Sequence, residues 1–237
     1  MLKKLNEESV KTFNQDYVTE ATWQMVVSAI EQQWGNKEFS FADLGGGNGL
    51  FTDRILAAFP QASGTLIDNS PYLIKENRPH ERKRLIFDSI EQAPRHIQSV
   101  DIVFCNWLLH HLVADSYQVT RQNIVAALRL GKGLLAKDGR MSIFENLYEG
   151  ILFHNLPSHL IFSLTSQTKL APLLRRFGAN TAGCGVCFLS KPEWRQTLKQ
   201  SGLMIERVQE DEPWDFSWGK RALLHIKSVR VGHFWCK

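Results

Sequence analysis

The run DLGGGNG at positions 43–49 constrains this chain more than any other feature. It follows a short apolar stretch (Phe39, Phe41, Leu44) and opens an amphipathic one (Leu50, Phe51, Ile55, Leu56, Phe59). That order spells a buried strand, a glycine hinge and a helix. Glycines let the backbone turn sharply and approach a ligand closely, because no Cβ stands in the way. The helix N-terminus beyond offers unpaired N–H groups to polar ligand atoms. About twenty residues on, a second short strand (Thr65, Leu66, Ile67) ends at Asp68, where such folds place a ribose-binding carboxylate. The expectation is a nucleotide-cofactor site.

Glycine spacing separates the cofactors. A dinucleotide fingerprint requires G-x-G-x-x-G, and neither Gly45, Gly47 and Leu50 nor Gly47, Gly49 and Thr52 supplies its third glycine. The pattern D-x-G-x-G-x-G instead resembles motif I of the class I S-adenosylmethionine-dependent methyltransferases. Later segments resemble the family in the same order: LIDNSPYLI at 66–74, RLIFDS at 84–89, DIVFCNWLLHHL at 101–112, LLAKDGRMSIFE at 134–145 and SKPEWRQTLKQSGLMIERV at 190–208. The resemblance implies an α/β, Rossmann-like fold with a seven-stranded, mostly parallel sheet and helices on both faces. Its antiparallel last strand is inserted beside the fifth.

Patterning divides the chain into four parts. Residues 1–38 read as one or two helices, an N-terminal lid with Trp23, Val26, Val27 and Ile30 on a buried face. Residues 39–146 alternate short apolar strands with helical segments, as a parallel sheet with crossovers requires. Strands are expected near 39–44, 64–68, 84–88, 100–105 and 140–146, with a final pair near 203–210 and 221–228. Ser70-Pro71 reads as a helix start, and Ser190 with Glu193 as a capping box. Gly202 closes the helix that follows, and residues 191–237 complete the sheet.

Residues 147–190 exceed the minimal fold. Their only charged residues are Glu149, Lys169, Arg175 and Arg176, among many leucines and phenylalanines. So long a connection, leaving the carboxyl end of a central strand, is normally functional. It reads as a helical cap over a methyl acceptor; a homodimer interface, extra core packing and a membrane-surface element are the other uses of such a segment. The loop DEPWDFSWG at 211–219 should project from the same sheet edge. There Trp214, Phe216 and Trp218 either line the acceptor pocket or pack the cap against the sheet.

The resemblance assigns roles residue by residue. Gly45 and Gly47 pass under the methionine and ribose part of the cofactor. Asp43 either braces that loop or reaches the methionine ammonium. Asp68 accepts from both ribose hydroxyls, Asp88 contacts the adenine amino group, and Asn106 meets the methionine end. Asn106-Trp107-Leu108-Leu109-His110-His111 is similar to the segment after the fourth strand in small-molecule O-methyltransferases of the plant and phenazine type. There a histidine deprotonates a hydroxyl, and His110 falls on that position, with His111 as its alternate. Imidazole suits that role, since its unperturbed pKa of about 6.5 leaves neutral base at cell pH. Glu145 matches a glutamate of the same enzymes and would orient the acceptor or a histidine. Two departures stand beside the match: the dimerising N-terminal domain of those enzymes is not seen here, and the Asp-Trp that usually follows the histidine is His111-Leu112.

Absences narrow the acceptor. After the fourth strand there is no Asn/Asp-Pro-Pro-Tyr/Phe clamp, and the chain has no Pro-Cys nucleophile of cytosine methylation. With short basic clusters and a net charge of +4, no nucleic acid is expected. No carboxylate lies between Asp101 and Asp115, which argues against an aminopropyl transfer. Cys184 and Cys187 form a lone C-x-x-C without further ligand spacing, so no metal is expected. Cysteine usage and an N-terminus without an apolar h-region suggest the cytoplasm, and no apolar stretch is long enough to span a bilayer. The expected activity is therefore S-adenosylmethionine-dependent methyl transfer to a small, partly apolar acceptor at oxygen. Transfer to nitrogen or a carboxylate, and a catalytically silent partner subunit, are the alternatives.

Overall fold

The computed structural model describes residue 3, residues 10–176 and residues 178–237. Its seven strands are β1 (Phe39–Leu44), β2 (Ala62–Asp68), β3 (Lys83–Phe87), β4 (Val100–Asn106), β5 (Leu135–Gly150), β6 (Ile205–Glu210) and β7 (Ile226–Cys236). They form one sheet in the order β3-β2-β1-β4-β5-β7-β6. The first five pair in parallel, and β7 runs antiparallel to both β5 and β6, so β6 points with the first five. This is the expected architecture.

Helices cover both faces: α1 (Glu20–Gln33), α2 (Leu50–Ala58), α3 (Pro71–Lys75), α4 (Ala93–His96), α5 (Tyr117–Gly133), α6 (Leu156–Thr165), α7 (Ala171–Arg176), α8 (Lys191–Gln200) and α9 (Trp218–Leu223). Successive strand side chains point to opposite faces, and β4 shows how each face is filled. Ile102 and Phe104 pack with Phe39 and Phe41 against Val26, Ile30, Ile55 and Leu56 of α1 and α2. Val103 and Cys105 pack with Ala42 and Leu44 against Ile124, Leu128, Trp194 and Leu198 of α5 and α8. A strand buried on both faces must be apolar throughout, which is why β4 reads as an unbroken run after Asp101.

Local stops act where the sequence places them. Ser70 Oγ accepts from Leu73 N at 3.2 Å, with Pro71 in the first turn of α3. Glu193 Oε2 accepts from Ser190 N at 3.1 Å, and Gly202 follows α8 with a left-handed φ of 79°. Ahead of α1 the described chain is mostly irregular from Thr12 to Thr19, and the remainder of the expected N-terminal helix, before Val10, falls outside the described residues apart from Lys3.

Two strands depart from expectation. The last strand, expected at 221–228, begins only at Ile226, because WGKRAL forms α9 and His225 (φ 53°) turns the chain into the sheet. Inserted between β5 and β6, β7 is buried through HFWC, a run whose role depends on neighbours distant in sequence. β5, expected at 140–146, spans Leu135–Gly150. β4 ends opposite Phe144, and β6 ends opposite the β7 residue that faces Glu145. Past that point β5 and β7 continue together as a two-stranded ribbon to Gly150 and Ile226. Residues 151–190 are carried at its end.

His233 of β7 is fully buried, its ring stacked 4.4 Å from Phe144 and its Nε2 2.9 Å from Ser142 Oγ. Burial pushes its pKa down to about 3. Between about pH 6.5 and 3 the unfolded chain therefore takes a proton that the fold refuses, and stability falls as pH drops. In denaturant titrations His233→Gln should lose less stability than the parent on acidification from pH 6.5 to 5, by up to ~2 kcal/mol. Parallel curves would show that this histidine does not titrate differently in the fold.

Candidate active site

The hinge closes between two adjacent strand ends. Leu44 lies opposite Ile67, and Gly45 N donates to Ile67 O at 2.8 Å. Asp68 then holds both sides of the turn: Oδ2 accepts from Gly47 N at 3.0 Å and Oδ1 from Ser70 N at 2.8 Å. Gly45 and Gly47 have φ of 69° and 57°, and a Cβ on Gly45 would stand 2.6 Å from Leu108. Asp43, buried below the loop, accepts from Thr52 Oγ1 at 2.7 Å, and a Cβ on Gly46 would meet its carboxylate at 2.6 Å. Burial lifts the Asp43 pKa to about 7 and also raises that of Asp68. Asn77, which no sequence pattern marked and which lies just past α3, donates to Gly47 O at 2.8 Å and fixes the loop.

The same sheet edge carries the other predicted polar groups. Asp88, just past β3, pairs with His96 Nε2 at 2.9 Å and accepts from Ser89 N at 2.8 Å. The hydrogen bond from His96 holds its carboxyl below the usual range. Asn106 ends β4 with both atoms of its side-chain amide buried and without a partner. A buried amide left so costs roughly 1–3 kcal/mol, and a polar ligand in the cradle would relieve it. Asp68 keeps lone pairs beyond those used by Gly47 and Ser70. An orphaned amide and an acceptor carboxylate on one edge fit a polar nucleoside.

Past Asn106 the chain bends at Trp107, which adopts a positive φ of 49°. Its ring stacks 5.3 Å from Phe144, and its Nε1 donates to Asn146 Oδ1 at 3.1 Å. The short 3-10 turn Leu109–His111 follows. It brings His110 Nδ1 to 2.6 Å from Glu145 Oε2 on β5, while Glu145 Oε1 accepts from Leu109 N at 2.8 Å. Both side chains are buried. Against an ionised carboxylate, which only accepts, Nδ1 would carry the proton and a neutral ring would present the Nε2 lone pair. His111 lies alongside, ring centroids 4.1 Å apart, and burial drives its pKa well below the ordinary value.

Two segments close over this pair. From the insertion, Cys187 N donates to His110 O at 3.0 Å, and Phe188 lies 4.9 Å from the His110 ring while stacking on Tyr148. From the N-terminus, Phe13 sets its edge 5.2 Å from His111, and Tyr17 lies 6.2 Å from Trp107. Between them Asn14 Oδ1 accepts from Asn48 Nδ2 at 3.0 Å, and its Nδ2 donates to Glu76 at 3.2 Å. Residues 13–17 therefore bridge the glycine hinge, α3 and the histidines. Sequence reasoning did not mark Phe13, Asn14 or Phe188, since an irregular strap carries no periodicity.

The tryptophans of the 211–219 loop stand apart. Trp214 stacks with Phe216 at 6.4 Å and Trp218 is 81% exposed. Among the described residues, no ring contact or hydrogen bond joins either to His110 or Glu145. No group of three or more His, Cys, Asp or Glu suited to a metal gathers among the described residues.

Residues 42–141 match the family model of a methyltransferase domain. No curated protein sequence matches the chain. Among solved structures, a cyclopropane synthase from Mycobacterium tuberculosis superimposes with a TM-score of 0.62 at 12% identity, over 98% of this chain and 95% of that one. A mycolic acid cyclopropane synthase complexed with SAH and CTAB gives 0.62 at 16%, over 99% and 95%. Mitomycin 7-O-methyltransferase gives 0.55 at 20%, over 84% of this chain. The chain spans about half of that enzyme's length, 49%. At these identities the structural likeness speaks for the fold, and the domain match speaks for the chemistry. Residues 42–141 thus match a methyltransferase domain on the fold of S-adenosylmethionine-dependent enzymes, which supports S-adenosylmethionine as the cofactor of that domain.

Proposed function

We propose that this chain methylates a hydroxyl oxygen of a small, partly apolar acceptor, with His110 as general base. The observation that carries this reading is the buried 2.6 Å contact between His110 Nδ1 and Glu145 Oε2. An acceptor that is already an anion needs no base, so a built histidine–carboxylate pair favours a hydroxyl over a carboxylate. The mitomycin enzyme, which shares the fold, is named for 7-O-methylation.

The cofactor supplies a methyl group already activated on a positive sulfur, which leaves the protein chiefly positioning and proton removal. In this reading Gly45, Gly47 and Asp68 hold the ribose side, Asn106 the methionine end, and Asp43 keeps the loop in shape. Asp88 serves the adenine, exchanging part of its present pairing with His96. His110 Nε2 takes the hydroxyl proton, and Glu145 fixes the tautomer that makes Nε2 available. His111, kept uncharged by the desolvation of its ring, shapes the pocket rather than serving as base. Phe188 and Tyr148 supply the apolar wall, residues 147–190 act as the cap, and residues 13–17 act as a lid. Trp214 and Trp218 are left to the rim.

Asp68→Ala should weaken S-adenosylmethionine binding by roughly 1.5–3 kcal/mol in calorimetry, the scale of lost charge-assisted hydrogen bonds. Unchanged affinity would show that the ribose is held elsewhere. His110→Ala should lower kcat by about two to four orders of magnitude with cofactor affinity intact. Glu145→Gln, of the same size but uncharged, should lower it in the same direction. Near-normal turnover of His110→Ala would remove the base and redirect the assignment to an acceptor ionised beforehand.

A further inference from the structure

The ribbon of β5 and β7 ends in an apolar lip that makes no ring contact or hydrogen bond with His110 or Glu145 among the described residues. At its tip Gly150 N donates to His154 O at 3.1 Å, closing a tight turn in which a Cβ on Gly150 would lie 1.9 Å from Phe153 O. That turn holds Leu152 and Phe153 outward, 71% and 67% exposed. Ile151 N donates to His225 O at 2.9 Å, which ties the turn to the end of α9. α9 in turn presents Trp218 and Leu223, 81% and 73% exposed. Large side chains this bare, on a turn and a helix tied together at His225, mark an interaction surface.

Cations outnumber acids along the insertion: between Glu149 and Glu193 the charged residues are Lys169, Arg175, Arg176 and Lys191. Of these Lys191 is paired with Glu210, and its backbone N–H donates to Glu149 at the foot of the turn. α9 adds Lys220 and Arg221, and β7 adds Lys227. Arg221 donates to the carbonyls of Ile226 and Lys227 rather than to a carboxylate. The nearest acids in sequence, Asp211, Glu212 and Asp215, precede α9; Asp211 is taken up by Val231 N at 2.6 Å.

We propose that this lip docks the protein on an anionic lipid bilayer, with Leu152, Phe153, Trp218 and Leu223 entering the headgroup boundary and Lys220, Arg221 and Lys227 meeting lipid phosphates. Exposed aromatic and aliphatic side chains flanked by cations suit that interface. A second copy suits it less, since a two-fold interface through the lip would set the same cations against each other. The lip and His110 stand on the same carboxyl edge, so an acceptor dissolved in the membrane would be met there. This docking does not depend on the identity of the acceptor.

Flotation of the purified chain with phosphatidylcholine vesicles, with and without phosphatidylglycerol, tests it. The chain should float with the anionic vesicles and not with the neutral ones, and about 1 M salt should release it. Lys220→Glu with Arg221→Glu should weaken that partitioning at least about twentyfold. Trp218→Ser with Leu223→Ser should abolish it. Both double variants should bind S-adenosylmethionine with the parent's affinity in calorimetry, which establishes that they fold and separates this result from the catalytic assignment. Failure of the parent to float with anionic vesicles would overturn the proposal. So would flotation undiminished in both variants, or self-association that Trp218→Ser disrupts without any vesicle binding.

Discussion

A glutamate with no exposed surface sits at the carboxyl edge of the sheet, and the local structure is arranged around it. Taking a carboxylate out of water costs several kcal/mol unless donors replace the lost hydration. Glu145 receives N–H groups from Leu109, from His110 and from the His110 ring. Those donors converge only because the chain after β4 makes an abrupt turn at Trp107. A non-glycine residue at positive φ costs on the order of 1–3 kcal/mol, and the stack on Phe144 with the bond to Asn146 holds it there. The same turn presses Leu108 against Gly45, so the glycine hinge and the His110–Glu145 pair share one wall.

The second constraint is where β5 and β7 outrun their neighbours. A two-stranded ribbon is marginal alone, and here the insertion packs against it. Tyr148 and Ile161 gather with Val186, Ile226 and Val229 into a separate small core. Buried Glu193 ties the insertion back to the main fold, bonding Tyr117 and Arg121 of α5, Ser158 of α6 and Ser190. By contrast, the strap at residues 13–17 is held over the site by side-chain hydrogen bonds and ring edges, without a strand ladder. Contacts of that kind open at low free energy, which suits a segment lying above a site that must exchange ligands.

Several site elements were legible because their chemistry is local. Gly45, Gly47 and Asp68 announce a hinge by spacing alone, and the Ser70 and Ser190 caps are read within four residues. Others were not. Asn77 reaches Gly47 from the turn beyond a five-residue helix, and Phe188 reaches His110 from the other end of a long insertion. Trp214 and Trp218 were expected to line the acceptor pocket or to pack the cap, from a loop; Trp218 begins a helix that the pattern did not reveal. The last strand was misplaced for a related reason: HFWC is buried between β6 and β5, and β5 lies far back in the sequence.

By itself the amino-acid sequence determined the alternation of strands and helices, the glycine hinge and the acid that closes β2, since each depends on backbone preferences and spacing over a few residues. Tertiary structure alone decided that His110, rather than His111, meets Glu145, that both atoms of the Asn106 amide lie buried without a partner, and that residues 13–17 lie across the histidines. These outcomes rest on distances between residues dozens of positions apart, set when β4 and β5 pair and the chain folds back over their ends. Local propensity carries no record of such distances; packing creates them.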